Sequence, residues 1–378
     1  PAAAPQERVP AKAAEGRAVQ RDVFVSVIKD GRYKTAYTQL VVPKEEYVLK
    51  ELKERVQKGY MMVVDRLPYH LVDVVFVGVD IFKINDVNTK DMTWDADMFM
   101  WFKWNGDRLE PKDIDKIGVI NTVKEQSSLL KEDLSRPTKY RAFRKRFTLS
   151  TSYDLAKFPF DYQALTMSVA HASKNSTHLM LVMDAKHMDD TPIGKINPQE
   201  WTFLGRKFYS NLYQYTSTFG DPDYRLGKGY KSRIYFSTVN VEVNIKRIIQ
   251  PYLFTFFLPL IIILGIILLV LWVPLEHFAP RFSASISGLV GILLYHMSQK
   301  NSFPKVGYAI IADYYFLIAY VFVVGLIISI IGTQTLWGQG HKERAKKLNR
   351  QLALSAITGV VLIYSAITIL LGSASPLN

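Results

Sequence analysis

Ser283, Ser287, Val290, Leu294, Met297 and Asn301 recur at spacings of 4, 3, 4, 3 and 4 residues. That rhythm puts all six on one stripe of a helix. The stripe carries hydroxyls at one end, apolar side chains in the middle and an amide at the other end. Hydroxyls and amides can stand in for the water around an ion, and a ring of apolar side chains can close a narrow path by dewetting. A second reading stays open. Ser283, Ser287 and Gly291 are spaced by four, as are Ala284 and Gly288. Small residues at that spacing let membrane helices pack closely without any pore.

Four apolar stretches must position this stripe, at 251–273, 282–297, 306–331 and 352–371. Each is near the roughly 20 residues that cross a ~30 Å hydrocarbon core. Four crossings put both ends of the membrane domain on one side. The segment 341–350, rich in Lys and Arg, joins the third and fourth stretches. As a basic loop it is expected in the cytoplasm, which leaves the N-terminal 250 or so residues outside. Such a topology implies a signal peptide already removed.

The net charge of +13 accompanies a membrane domain and no nucleic-acid motif, so nucleic acid is not the expected partner. The chain has no cysteine, which excludes disulfides, thiolate catalysis and cysteine zinc sites. No nucleophile–base pair or metal-ligand spacing appears, so neither an enzyme nor a cofactor is expected.

Residues 1–21 read as a flexible tail. Residues 22–68 form an accessory β-β-α module. Its strands at 22–28 and 37–42 flank a turn at 29–32, and a helix over 44–58 stops at Gly59. Residues 69–249 carry many short strands, with candidates at 72–78, 98–104, 139–148, 165–169, 179–183, 201–209 and 234–245. This pattern predicts a β-sandwich. Residues 250–378 form the four-helix membrane domain.

Several motifs occur in a fixed order. Leu155-Ala156-Lys157-Phe158-Pro159-Phe160-Asp161-Tyr162-Gln163 centres on Phe-Pro-Phe-Asp. Arg247 precedes Pro251-Tyr252; Trp272 and Pro274 precede Arg281; Pro304 and Tyr308 precede Asp313. With these, residues 70–375 resemble the pentameric ligand-gated ion channels of the Cys-loop superfamily, in their bacterial form. The family's bracketing cysteines are replaced by Thr151 and Leu165, as is common in bacterial members.

The resemblance implies a homopentamer in the bacterial inner membrane, with the sandwich in the periplasm. A small-molecule or ionic agonist binds between subunits, and inorganic ions permeate. It makes Phe158, Pro159, Phe160, Asp161, Arg247 and Pro304 the coupling residues between the two domains. It makes Phe99, His171, Tyr224 and Tyr230 candidates for the agonist pocket. Ala172 and Ile120-Asn121 stand where aromatics often do, so the cation box is thin and an amine agonist is less supported. His171 can titrate near neutrality and make protons a stimulus, or it can be a plain loop histidine. Glu276, Ala279, Pro280 and Arg281 stand at the selectivity region. The Ala-Pro pair is similar to anion-selective members, whereas Glu276 could line the mouth if the turn is tight. The other reading of the whole chain is a membrane-anchored ligand sensor that conducts nothing.

Overall fold

A computed structural model describes residues 8–9, 25–29, 32–43, 47–184, 195–196, 200–215, 234–302 and 306–372. Two sheets precede a set of long helices.

The accessory module begins with a hairpin of β1 (Ser26–Lys29) and β2 (Arg32–Thr35), in the register Ile28 opposite Tyr33. The segment expected as its second strand is instead a third strand, β3 (Thr38–Val41). Helix α1 (Leu49–Gln57) follows, and Gly59 ends it at φ +73°, a left-handed conformation that favours glycine. Strand β4 (Met61–Val64) turns directly into β5 (Leu67–Asn88). Both β3 and β4 pair with β5, so the module extends the main sheet. The expected boundary between residues 68 and 69 falls within the continuous strand β5.

Strand β5 pairs along its length with β6 (Thr93–Asn105). A short strand β7 (Ile117–Val119) precedes β8 (Thr122–Asp133) and β9 (Thr138–Ser150). Next come β10 (Tyr162–His171), β11 (Leu179–Met183), β12 (Trp201–Tyr215) and β13 (Ile234–Arg247). The first sheet has the order β8-β9-β6-β5-β11, and β3, β4 and Lys195–Ile196 also pair with β5. The second has the order β12-β13-β10-β7. Alternation along the strands drives the packing. Trp94, Phe102, Trp104 and Phe147 of the first sheet share one buried cluster with Leu165, Met167, Val239 and Val241 of the second. The Ser237 hydroxyl links the sheets by accepting the Leu181 N–H at 2.9 Å.

The helical part comprises α2 (Gln250–Trp272), α3 (Phe278–Ser302), α4 (Ile311–Gly338) and α5 (Lys342–Gly372). Among the described residues, three helices are long and apolar enough to cross a membrane: α2, α3 and α4. Within α2, Leu253–Phe257 form a π turn just before Pro259, whose missing N–H interrupts the ordinary ladder. The basic segment at 342–350 is not a loop. It is the first turns of α5, and the break from α4 is confined to Gln339, Gly340 and His341. Gly340 turns the chain at φ +85°.

Candidate functional site

Helix α3 has two unlike sides. Arg281, Ser285 and Ile292 are buried. Gly288 sits so close to α2 that a Cβ there would collide with the Ile267 side chain. This is the seam on which small residues serve packing, and it excludes Ser283 and Ser287. Those two are exposed, as are Val290 (47%), Leu294 (62%) and Met297 (67%). The stripe therefore faces away from the other helices of the chain. Ile286 and Leu293, beside the stripe, are also exposed in the single chain. Asn301 belongs to the last turn of α3, but its side chain lies outside the described residues, as do Pro304, Tyr224 and Tyr230.

At the N-terminal end of α3, Glu276, Ala279 and Pro280 are exposed. Arg281 differs from these three neighbours. It turns into the bundle, 1% exposed, donating from Nε to the Val270 carbonyl at 3.3 Å and from Nη2 to Asn349 Oδ1 at 2.5 Å. The carbonyls at the C-terminal end of α2 carry partial negative charge, which draws the guanidinium inward.

The junction of the two domains centres on Arg247, the last residue of β13. Its Nε and Nη2 donate to both oxygens of Asp161 at 2.7 and 3.1 Å. Both side chains are almost wholly buried. Gln163 Nε2 also donates to Asp161 Oδ2 at 2.6 Å. The guanidinium lies 4.1 Å from the Trp201 ring and 4.9 Å from that of Phe158, and Nη1 donates to the Tyr252 hydroxyl at 3.1 Å. Burial alone would lower the Arg247 pKa, yet the Asp161 hydrogen bond and charge outweigh it and hold the pKa above its usual value. The Phe158–Pro159 bond is cis, and Phe160 packs near Phe257 of α2.

The same loop meets α4 through its backbone. The Ile311 and Ala312 N–H groups, free at a helix start, donate to the Ala156 and Phe158 carbonyls at 3.0 and 3.3 Å. The Leu155 N–H donates to the Tyr308 hydroxyl at 3.0 Å. One loop thus touches the entry of α2 and the start of α4.

Phe99 packs against Phe82 with centroids 4.8 Å apart and planes tilted by 31°, and the Arg144 guanidinium lies over Phe82. His171 is 3% exposed, and its Nδ1 accepts the Ser173 and Lys174 N–H groups at 3.0 and 2.8 Å. Burial, then the Lys174 charge, push its pKa below the usual value. Proton uptake at Nδ1 would also break both bonds. His171 is thus the buried last residue of β10, and its surroundings weigh against the charged form. Ile120 and Asn121 line an open groove of about 630 Å³ with Met92, Tyr153 and Tyr213.

Sequence reasoning missed two contacts in the membrane part. The Tyr295 hydroxyl of α3 donates toward the Thr255 carbonyl of α2 at 2.8 Å. His296 meets Asp313, Phe316 and Tyr320 of α4. A signal existed in each case, namely a polar side chain inside an apolar span, which needs a partner.

A comparison with protein-family models finds no match. Over 207 residues, 54% of this chain, the sequence is 22% identical to a Drosophila melanogaster protein named pH-sensitive chloride channel 2, covering 37% of that protein. Over 212 residues, 56% of this chain, it is 24% identical to an Anopheles gambiae protein of the same name, covering 33% of it. The chain thus matches about a third of the length of each of these curated relatives, both named as channels rather than enzymes.

Proposed function

We propose that the chain is one subunit of a homopentameric ligand-gated ion channel of the Cys-loop type, in its bacterial form. One observation carries the reading: α3 exposes Ser283, Ser287, Val290, Leu294 and Met297 while it buries the opposite side against its own helices. An apolar stripe with hydroxyls at one end suits neither lipid nor bulk water on its own. Five copies around an axis give it a lumen, with Asn301 at the far end. Helix α5 supplies the fourth span, with its basic start in the cytoplasm. The two sheets form a sandwich on the other side of the bacterial inner membrane.

The names of the relatives and the exposed Ala279-Pro280 pair favour chloride as the permeant ion. Protons or a small ionic agonist are the favoured stimulus, and an agonist pocket between subunits draws on Phe99, Tyr224 and Tyr230. Coupling runs through Asp161, Arg247 and the Phe-Pro-Phe-Asp loop. The test is chloride and potassium efflux from liposomes holding the purified full chain, over a range of pH. Chloride efflux without potassium efflux is expected. Potassium efflux alone would reverse the selectivity, and no flux of either ion would leave the non-conducting sensor as the better reading.

A further inference from the structure

His296 lies on the side of α3 turned toward α4, one residue before Met297. All its partners come from one face of α4. Its Nδ1 is 2.8 Å from the Tyr320 hydroxyl, and its Nε2 is 3.4 Å from Asp313 Oδ1. Its ring stacks on Phe316, with centroids 4.1 Å apart and planes at 15°. Asp313, Phe316 and Tyr320 fall at i, i+3 and i+7, so one imidazole spans two turns of α4. Asp313 is held in place because its other oxygen accepts the Ile310 N–H at 3.1 Å.

The neutral ring has one N–H. The carboxylate favours that proton on Nε2, leaving Nδ1 to accept from Tyr320. A second proton, on Nδ1, reverses the Tyr320 bond and makes a charged pair with Asp313. It also sets a cation against the face of Phe316. Each change acts across the α3–α4 boundary. The surrounding charges are few. Asp313 is the one carboxylate on α2, α3 and α4, and Lys300, one turn along α3, opposes the proton. The Tyr295 hydroxyl is engaged with α2, and Tyr315 packs edge-on against Phe256 and Phe257. Tyr252, at the start of α2, is engaged by Arg247.

We propose that His296 is a proton-binding site of the membrane domain, and that its protonation clamps the C-terminal half of α3 to α4. This rests on the reading of α3 as the pore helix. Leu294 and Met297 flank His296 on the exposed side, so the clamp sets the bore at those rings. Acid then acts on the wall of the pore, at a place distinct from His171 in the sandwich.

The experiment uses the full chain with ¹⁵N-labelled histidine in lipid nanodiscs, titrated from about pH 8 to 5, with His296→Gln identifying the signal. The His296 ring signal is expected to change between the two ends of this range, and Asp313→Asn is expected to alter that change, because it removes the charged partner at Nε2. Asparagine keeps the oxygen that caps α4, so loss of fold is not the cause. A ring signal unchanged down to pH 5, or a change that Asp313→Asn leaves as it is, overturns the site. In liposomes, His296→Gln is expected to remove most of the pH dependence of chloride efflux. A wild-type pH profile in that variant overturns the clamp. No efflux at any pH in the wild type refutes the channel reading and the clamp with it, while the titration still decides the proton site by itself.

Discussion

The Tyr295 hydroxyl of the stripe helix donates toward the Thr255 carbonyl of α2, 2.8 Å away and four residues before Pro259. Proline has no N–H to offer that carbonyl, so the hydroxyl from α3 serves it instead. The Phe256 carbonyl lies 3.0 Å from the same hydroxyl. Tyr295→Phe keeps the ring beside Phe316 and removes only the donor. It is expected to destabilise the helix pair by about 1 kcal/mol. A lower midpoint of thermal unfolding in detergent checks this, and an unchanged midpoint would mean that water serves the carbonyl equally well.

Asp161 and Arg247 form a buried bidentate pair. Removing one partner strands the other charge, at about 3–5 kcal/mol. Asp161→Asn and Arg247→Gln are each expected to lower the yield of assembled protein or to impair gating. The exchange Asp161→Arg with Arg247→Asp is expected to recover part of the loss. Purely additive effects in the double-mutant cycle would show that the two residues act separately.

Val290 and Leu294 are the apolar centre of the stripe. On the proposed pore reading, replacing either with serine lets water into that ring. Resting chloride efflux is expected to rise on the order of tenfold, which equals about 1.4 kcal/mol of closed-state stability. Unchanged resting efflux in both variants, at equal protein density, would argue against a hydrophobic gate there.

Single cysteines can be read without background, because the chain has none. At Ser283, Ser287, Val290, Leu294 and Met297 they are expected to react with a charged thiol reagent in the conducting state. Ser285 and Ile292, buried against neighbouring helices, are expected to stay protected. Equal labelling of both groups would mean that α3 is rotated from this orientation.

His171 has a pKa depressed by burial. Its neutral form therefore contributes stability that is fully present above the unfolded value of about 6.5 and is lost as pH falls through the folded value. His171→Asn keeps an acceptor near the Ser173 and Lys174 N–H groups. The variant is expected to lose less unfolding stability than the wild type between pH 7.5 and 5. An equal loss in both proteins would place the acid sensitivity elsewhere.

The α3 stripe was legible because its spacing alone orders the side chains. The Asp161–Arg247 meeting was legible only through the motifs that carry the resemblance. Strand β8 was not, because nearly every residue from Thr122 to Asp133 is exposed and no alternation marks it. The start of α5 read as a loop because its charges mask a helix whose packed face there is only Ala345, Leu348 and Asn349. The Ala156 and Phe158 carbonyls that cap α4 belong to the backbone, which side-chain identity does not report. His296 and Tyr295 were visible as polar residues in an apolar span, but their partners depend on how the helices pack.

Strand β5, at 22 residues and about 3.3 Å each, is a strut of roughly 70 Å. Its first residues hold the accessory module. Its far end enters the turn at 89–92, where the Met92 carbonyl accepts the Thr151 N–H at the root of the Phe-Pro-Phe-Asp loop. A stiff member loaded at one end delivers displacement to the other. Only two interruptions of register with β6, near residues 81–83 and 84–86, let it flex. One continuous stretch of backbone therefore joins the module to the root of the loop that leans on α2 and α4.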